Sequence, residues 1–386
     1  MEEHQTETLV IGAGPAGLAA GACLTRVGAP FVIVEQAMAV GSSWRGHYDR
    51  IHLHTDRVNS ALPLLAFPPG TARYPSRHEV ITYLERYAQH FQLTPRFQEQ
   101  VGNVRSEGGE WITTTTVGIY RSRNVIVASG FNAVPHMPRW AGQESFRGRI
   151  LHSSEYRNGE PFGGQSVLVV GLGNSAGEIA IDLHEHGARV AMAVRGPVNI
   201  VPRDILGISI LTVAIGVSHL PARLADAMVA PLLRMTVGDI TKLGFRKAAD
   251  GPITQIRRSS KVPLVDVGTV RLVRERHIEL LRGIRSLSDN TVTFDDGSSY
   301  HFDAIVAATG FRPGVERFLE SGSDSLNSER SHATRAKNLY FCGFSVTPTG
   351  MFREIGIEAR RIAQRITATR ARQPPGIRSS TPPRGR

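Results

Sequence analysis

The sequence predicts an α/β protein with two βαβ units of the same kind. Three observations carry this. A strand-like apolar run enters a glycine-rich turn at residues 8–17, TLVIGAGPAG, and the pattern returns at residues 166–177, SVLVVGLGNSAG. Gly12 and Gly171 lie 159 positions apart, too far for a solenoid repeat and suited to two separate domains. The composition, 41% hydrophobic and 20% charged in 386 residues, is that of a globular chain long enough to bury a core, and it excludes collagen, coiled coil and wholesale disorder.

The first unit reads as a strand over residues 8–11, a turn over 12–17, a helix over 18–27 and a strand over 31–35. Residues 76–91 read as a further helix, with Val80, Ile81, Leu84, Tyr87 and Ala88 on one face. The second unit repeats the series at 167–170, 171–177, 178–186 and 189–195. Two strands around a DDG turn follow, near 286–287 and 300–307, and a helix over 353–369 closes the ordered part. Residues 205–222 hold no Asp, Glu, Lys or Arg, a length at the threshold for spanning a bilayer. Their Gly, Ser, His and Pro residues argue instead for helices over a buried face within an apolar segment at about 204–245, leaving peripheral membrane contact as the alternative.

Each glycine turn is a phosphate cradle. The first glycine permits the tight turn, the second lets backbone approach a pyrophosphate, and the third lets helix pack on strand. Gly12, Gly14 and Gly17 fill these places, with Pro15 and Ala16 opening the helix. Glu35, followed by Gln36, ends the next strand, where a carboxylate accepts hydrogen bonds from ribose hydroxyls. In the second turn Gly171, Gly173 and Ala176 take the three positions, with Asn174 and Ser175 on the pyrophosphate side. Its second strand ends in Arg195. A carboxylate repels a 2′-phosphate and a guanidinium grips it, so the first cradle favours a dinucleotide with a free 2′-OH and the second favours NADPH. Both are Rossmann-like dinucleotide-binding domains. A hydride from NADPH needs an acceptor, and with only two cysteines, no CxxC pair and no metal-cluster pattern, a flavin is the most economical one.

The segment between the cradles, Phe146-Arg-Gly148-Arg-Ile-Leu-His152-Ser-Ser-Glu-Tyr156, matches FxGxxxHxxx(Y/F). On this motif the chain resembles the class B flavin-dependent monooxygenases. Further marks similar to that family are Gly41-Ser-Ser-Trp44, Ala128-Ser-Gly130, Ala308-Thr309-Gly310 and Phe341-Cys-Gly343. The YUCCA-type subgroup and its bacterial relatives are resembled most, through Tyr48-Asp-Arg-Ile-His-Leu-His54, Tyr74-Pro-Ser-Arg77, Val201-Pro-Arg203 and Pro263-Leu-Val-Asp-Val-Gly268. The likeness spans about residues 7–370 and departs at 55–61, TDRVNSA, near where family enzymes shape the substrate pocket.

The resemblance implies an NADPH domain over 158–302, inserted into a discontinuous FAD domain over 1–157 and 303–370. It implies a monooxygenase that uses NADPH and dioxygen, works through a flavin 4a-hydroperoxide, and acts on a small organic substrate. The reaction is N- or S-oxygenation, or oxidative decarboxylation of a 2-oxo acid such as indole-3-pyruvate. Trp44, Arg45, His54, Thr55, Ala128, Gly130, Thr309, Gly310 and Gly343 then join the cofactor sites, with His152 and Tyr156 shaping the NADPH side. Asn59, with Ser60, stands as the candidate polar contact to the hydroperoxide or to the retained nicotinamide amide. No acid–base pair or nucleophile is singled out. Three other readings stand beside this one: an NADPH oxidase or flavin reductase making hydrogen peroxide, a Baeyer–Villiger monooxygenase, and a flavoprotein that binds a membrane or partner without turnover. Tyr156 weighs against the second, since Trp is usual there.

The net charge is +11, and residues 371–386, with four Arg, four Pro and no acid, account for four of those charges and read as a disordered tail. No nucleic-acid recognition motif accompanies the charge, so nucleic acid is not an expected partner. No metal site is expected, and Cys23 and Cys342 read as buried and inert. The N-terminus lacks a basic and apolar leader, which suits a cytoplasmic protein of unassigned oligomeric state.

Overall fold

The computed structural model describes residues 2–320 and 336–371; most of the basic tail, 372–386, lies outside the described residues. Two sheets organise the chain. In the first, strands run in the order Val32–Val34, Glu2–Ile11, Gly118–Val127, Glu110–Thr115, Val101–Glu107. Glu2–Ile11 pairs in parallel with both its neighbours, while Glu110–Thr115 and Val101–Glu107 form an antiparallel meander. The end of Gly118–Val127 switches partner and pairs in parallel with Leu339–Phe341, returning the C-terminal segment to the first glycine turn. Three helices cover this sheet: α1 (Pro15–Arg26), α2 (Arg77–His90) and a last long helix over Met351–Ala371. In α1 every residue from Ala16 to Leu24 is buried, which its run of Ala and Gly allows by letting strand and helix approach closely. Ser76 caps α2 through a reciprocal pair with Glu79.

The second sheet is wholly parallel, in the order Ile278–Leu281, Arg189–Ala193, Ser166–Val170, Ala304–Ala307, Arg149–His152. Its strands read SVLVV and AIVA because both faces are covered. The helix α3 (Asn174–Glu185) packs on it. The expected boundaries at 157 and 303 cut through this sheet. Strands Arg149–His152 and Ala304–Ala307, expected on the first unit, pair here, because hydrogen-bonded neighbours lie far apart in sequence.

Other expectations change in detail. Both first-turn helices begin three to four residues earlier than periodicity suggests, since Gly14 and Gly173 themselves are the N-caps. Residues 300–307 break into Ser299–His301, which closes an antiparallel meander with Thr291–Phe294 and Ile284–Ser288, and Ala304–Ala307 in the parallel sheet. The apolar segment opens as a hairpin, Asp204–Ile205 against Ile208–Ser209, before helices Ile210–Gly216 and Ala222–Thr236. Among the described residues no helix is long and apolar enough to cross a membrane.

Candidate active site

The two glycine turns sit where a parallel strand of each sheet meets its first helix. In the first, Gly12 adopts φ 108°, and a Cβ there would lie 2.7 Å from the Ala128 carbonyl oxygen. A Cβ on Gly17 would lie 1.8 Å from the Gly12 oxygen. Gly14 has open space in front of it. Two glycines are therefore required by neighbouring backbone, and the middle one leaves the front of the turn open. That is the cradle a dinucleotide pyrophosphate needs. Glu35 is 5% exposed, and its carboxylate accepts hydrogen bonds from the Ala13 N–H at 2.7 Å, the Ala37 N–H at 3.0 Å and the Ser42 hydroxyl at 3.3 Å. The acid thus closes the turn as well as ending the strand. Gln36 beside it is exposed.

Gly343 adopts φ 85°, its N–H donates to Glu358 at 2.6 Å, and an added Cβ would meet that of Ala16 at 2.9 Å. This holds the C-terminal segment on the entry to α1, next to Pro15. Ala128 N–H donates to Ile11, and Gly130, at φ 90°, has open space before it. Between them Ser129 keeps a buried hydroxyl with no hydrogen-bond partner, on the wall of the first cradle; sequence reasoning passed it over inside the Ala-Ser-Gly mark. Trp44 is half-buried and packs edge-on to Phe352 at 6.0 Å. Arg45 is spent elsewhere: Nε donates to the Val40 carbonyl, and the guanidinium pairs with Glu85.

The second cradle repeats the geometry. Gly171 has φ 122° and its Cβ would lie 2.5 Å from the Ala308 oxygen, while Gly173 faces open space. Ala176 is buried on α3. Asn174 accepts from the Val265 N–H at 2.8 Å, tying the turn to the Pro263–Gly268 stretch. Ser175 faces the Tyr48 hydroxyl of the other unit. Arg195 is exposed, and its guanidinium makes no hydrogen bond or ion pair among the described residues. Beside it, a cavity of about 690 Å³ is lined by Lys242, Arg246, Arg274 and Arg282, with Glu279 and Asp296 as its acids. Arg246 also donates to the Arg195 carbonyl. The sequence showed these cations only as a general surplus, because no local motif marks them.

The crossing segments between the units are tied by His152 and Thr309. His152 is 2% exposed; Nε2 donates to the Gly310 carbonyl at 3.0 Å, and Nδ1 accepts from the Ser154 N–H at 3.1 Å. Burial holds its pKa below the ordinary value, so it serves as a neutral tie. Thr309 donates to the His136 carbonyl at 2.5 Å. Tyr156 does not face the cleft. It is 1% exposed, donates to Asp182 at 2.6 Å and stacks on Phe162, which ties the segment after Arg149–His152 to α3.

The TDRVNSA stretch faces the apolar segment. Asn59 donates through Nδ2 to both Asp56 oxygens and to Thr212 at 3.1 Å, so its amide joins the loop to helix Ile210–Gly216. Thr55 and Ser60 share a hydrogen bond of 2.6 Å. Gly350, at φ 88°, lies against Leu211 and Thr55. His54 reaches Glu178 on α3 at 3.3 Å; burial first, then Arg203 and His52, push its pKa down to about 4. Cys23 and Cys342 are free and buried, and burial pushes the Cys23 thiol up to about 11. Among the described residues no group of three His, Cys, Asp or Glu could hold a metal.

Residues 9–204 match the pyridine nucleotide-disulphide oxidoreductase family. The chain is 39% identical over 322 residues to the probable indole-3-pyruvate monooxygenase YUCCA1 of Arabidopsis thaliana, covering 81% of this chain and 77% of that protein. It is 37% identical over 360 residues to the indole-3-pyruvate monooxygenase YUCCA8 of Oryza sativa subsp. indica, covering 87% and 86%. Its fold superposes on the flavin-containing monooxygenase from Stenotrophomonas maltophilia with TM-score 0.69, 22% identity and coverage of 95% and 99%. The NADP⁺-bound cyclohexanone monooxygenase from Rhodococcus sp. Phi1 superposes with TM-score 0.72, 18% identity and coverage of 96% and 85%.

Proposed function

Because the chain belongs to the pyridine nucleotide-disulphide oxidoreductases, and within them to the YUCCA-type flavin monooxygenases, we propose that it is an enzyme carrying out NADPH-dependent oxygenation of an aromatic 2-oxo acid. It is an NADPH-dependent flavin monooxygenase whose cofactors are FAD and NADPH. FAD, when bound, accepts the hydride and activates dioxygen. The chain's residues do the rest. Gly12, Gly14 and Gly17 with Glu35 hold the FAD nucleotide, and Gly171, Gly173, Asn174 and Ser175 hold the NADPH pyrophosphate. Arg195, backed by Arg246, takes the 2′-phosphate. His152 and Thr309 fix the crossing segments, so that the two cofactors meet across one cleft. Leu211, Gly350 and the loop held by Asn59 wall that cleft against water.

The observation that supports this most is the pair of open fronts at Gly14 and Gly173, one closed by an acid and the other by a cluster of cations. Indole-3-pyruvate is the first substrate to offer, because the names of the relatives print it. The cytoplasm is the proposed compartment. Supplying NADPH, dioxygen and indole-3-pyruvate to the purified enzyme tests the reading. One carbon dioxide and one acid shortened by a carbon per NADPH is the expected outcome. Hydrogen peroxide as sole product, with every 2-oxo acid offered, would instead identify an oxidase.

A further inference from the structure

The Tyr48–His54 segment belongs to the first part of the chain, yet its polar contacts reach the second unit. The Tyr48 hydroxyl faces Ser175, Arg50 pairs with Glu185, the His52 backbone N–H faces Glu178, and His54 Nε2 lies 3.3 Å from Glu178 Oε1. Tyr48 and Ile51 are buried in the core beneath α3 rather than in the core of the first sheet. The segment is therefore a strap that seats α3, and α3 carries Asn174 and Ser175 at its start. Glu178, 3% exposed, lies one turn into that helix and receives two of the strap's four polar contacts.

We infer that Glu178 is a positioning residue for hydride transfer: it shares a proton with His54 and so fixes the nicotinamide-nucleotide unit against the flavin unit. The inference rests on the function proposed above. A buried carboxyl 3.3 Å from a half-buried imidazole is best satisfied by a hydrogen bond to it, and that bond needs one proton between them. The charged groups facing Glu178 are Arg50 from the strap, Arg203 after the second sheet's second strand, and Asp182 on its own helix. Arg50 and Arg203 oppose the proton and Asp182 supports it; burial outweighs the cations and raises the Glu178 pKa to about 8. Removing the proton leaves a desolvated anion at the joint, and a small displacement there is multiplied at the nicotinamide.

The test uses the flavin-loaded enzyme under nitrogen, mixed rapidly with NADPH while flavin bleaching is followed across pH. Glu178→Ala slows reduction at saturating NADPH about tenfold, with the dissociation constant for NADPH changing less than about threefold. Glu178→Gln, which still donates to His54, recovers most of that loss and removes the decline that the natural enzyme shows above pH about 8. A second measurement needs no turnover: thermal melting against pH for the natural protein and Glu178→Gln. The folded-state pKa of Glu178 lies above its ordinary value of 4.5, so its contribution is complete below 4.5 and is lost as pH rises to about 8. The natural protein therefore loses stability relative to Glu178→Gln over that window and no further above it. Equal reduction rates in Glu178→Ala and the natural enzyme, failure of Gln to recover the loss, or parallel melting profiles would each overturn the inference. If NADPH reduces neither form, the proposed function fails, and the melting comparison still decides the protonation of Glu178.

Discussion

The two glycine turns share one backbone and differ in how each is closed. In the first, a buried carboxylate folds back onto the turn: Glu35 accepts the Ala13 N–H and leaves little of itself exposed. In the second, an exposed Arg195 follows the strand Arg189–Ala193, beside a cavity rich in Lys and Arg. Packing differs as well, since Gly17 touches the backbone of Gly12 where Ala176 is accommodated. On the proposed function, the buried acid suits a cofactor that stays in place, and the exposed cations suit a cosubstrate that comes and goes.

Exchanging the third position breaks the comparison most sharply. Gly17→Ala puts a Cβ 1.8 Å from a backbone oxygen, and is expected to cost about 3 kcal/mol or more and to leave the purified protein without flavin. Ala176→Gly in the second turn costs about 1 kcal/mol and keeps the flavin. Absorbance at the flavin maximum and thermal melting read both. Glu35→Gln loses charge-assisted hydrogen bonds worth about 1.5–3 kcal/mol, and weakens FAD retention measured by dilution of the loaded enzyme. Arg195→Ala leaves flavin content intact and lowers the preference for NADPH over NADH about 10- to 100-fold in kcat/KM, the value of one charge-assisted phosphate contact. Tyr156→Phe is the smallest change. It removes the bond to Asp182 at a cost of about 1–2 kcal/mol in melting and leaves the coenzyme preference unmoved.

What was legible in the sequence was local. Gly12, Gly14, Gly17 and their counterparts announce themselves because a turn's φ angles and close approaches are set within a few residues. Glu35 and Arg195 are legible because they sit at fixed offsets from those turns. Sheet membership was not legible: Arg149–His152 and Ala304–Ala307 lie outside the range expected for the second unit, yet pair in its sheet. The hairpin at Asp204–Ser209 hid inside an apolar run whose short length suits strand and helix equally. Tyr156 read as part of a binding motif, and its use of Asp182 depends on a helix that comes later in the chain. Arg246, Arg282, and the meeting of His54 with Glu178 depend on tertiary contacts with no sequence spacing to mark them.

The most direct test of two unlike cradles is an anaerobic titration of the purified protein, first with NADPH and then, on a fresh sample, with NADH. One flavin per chain, bleached by about one equivalent of NADPH and only by a large excess of NADH, is the predicted result. A protein that takes up no flavin, or one bleached equally by both nucleotides, would contradict the account.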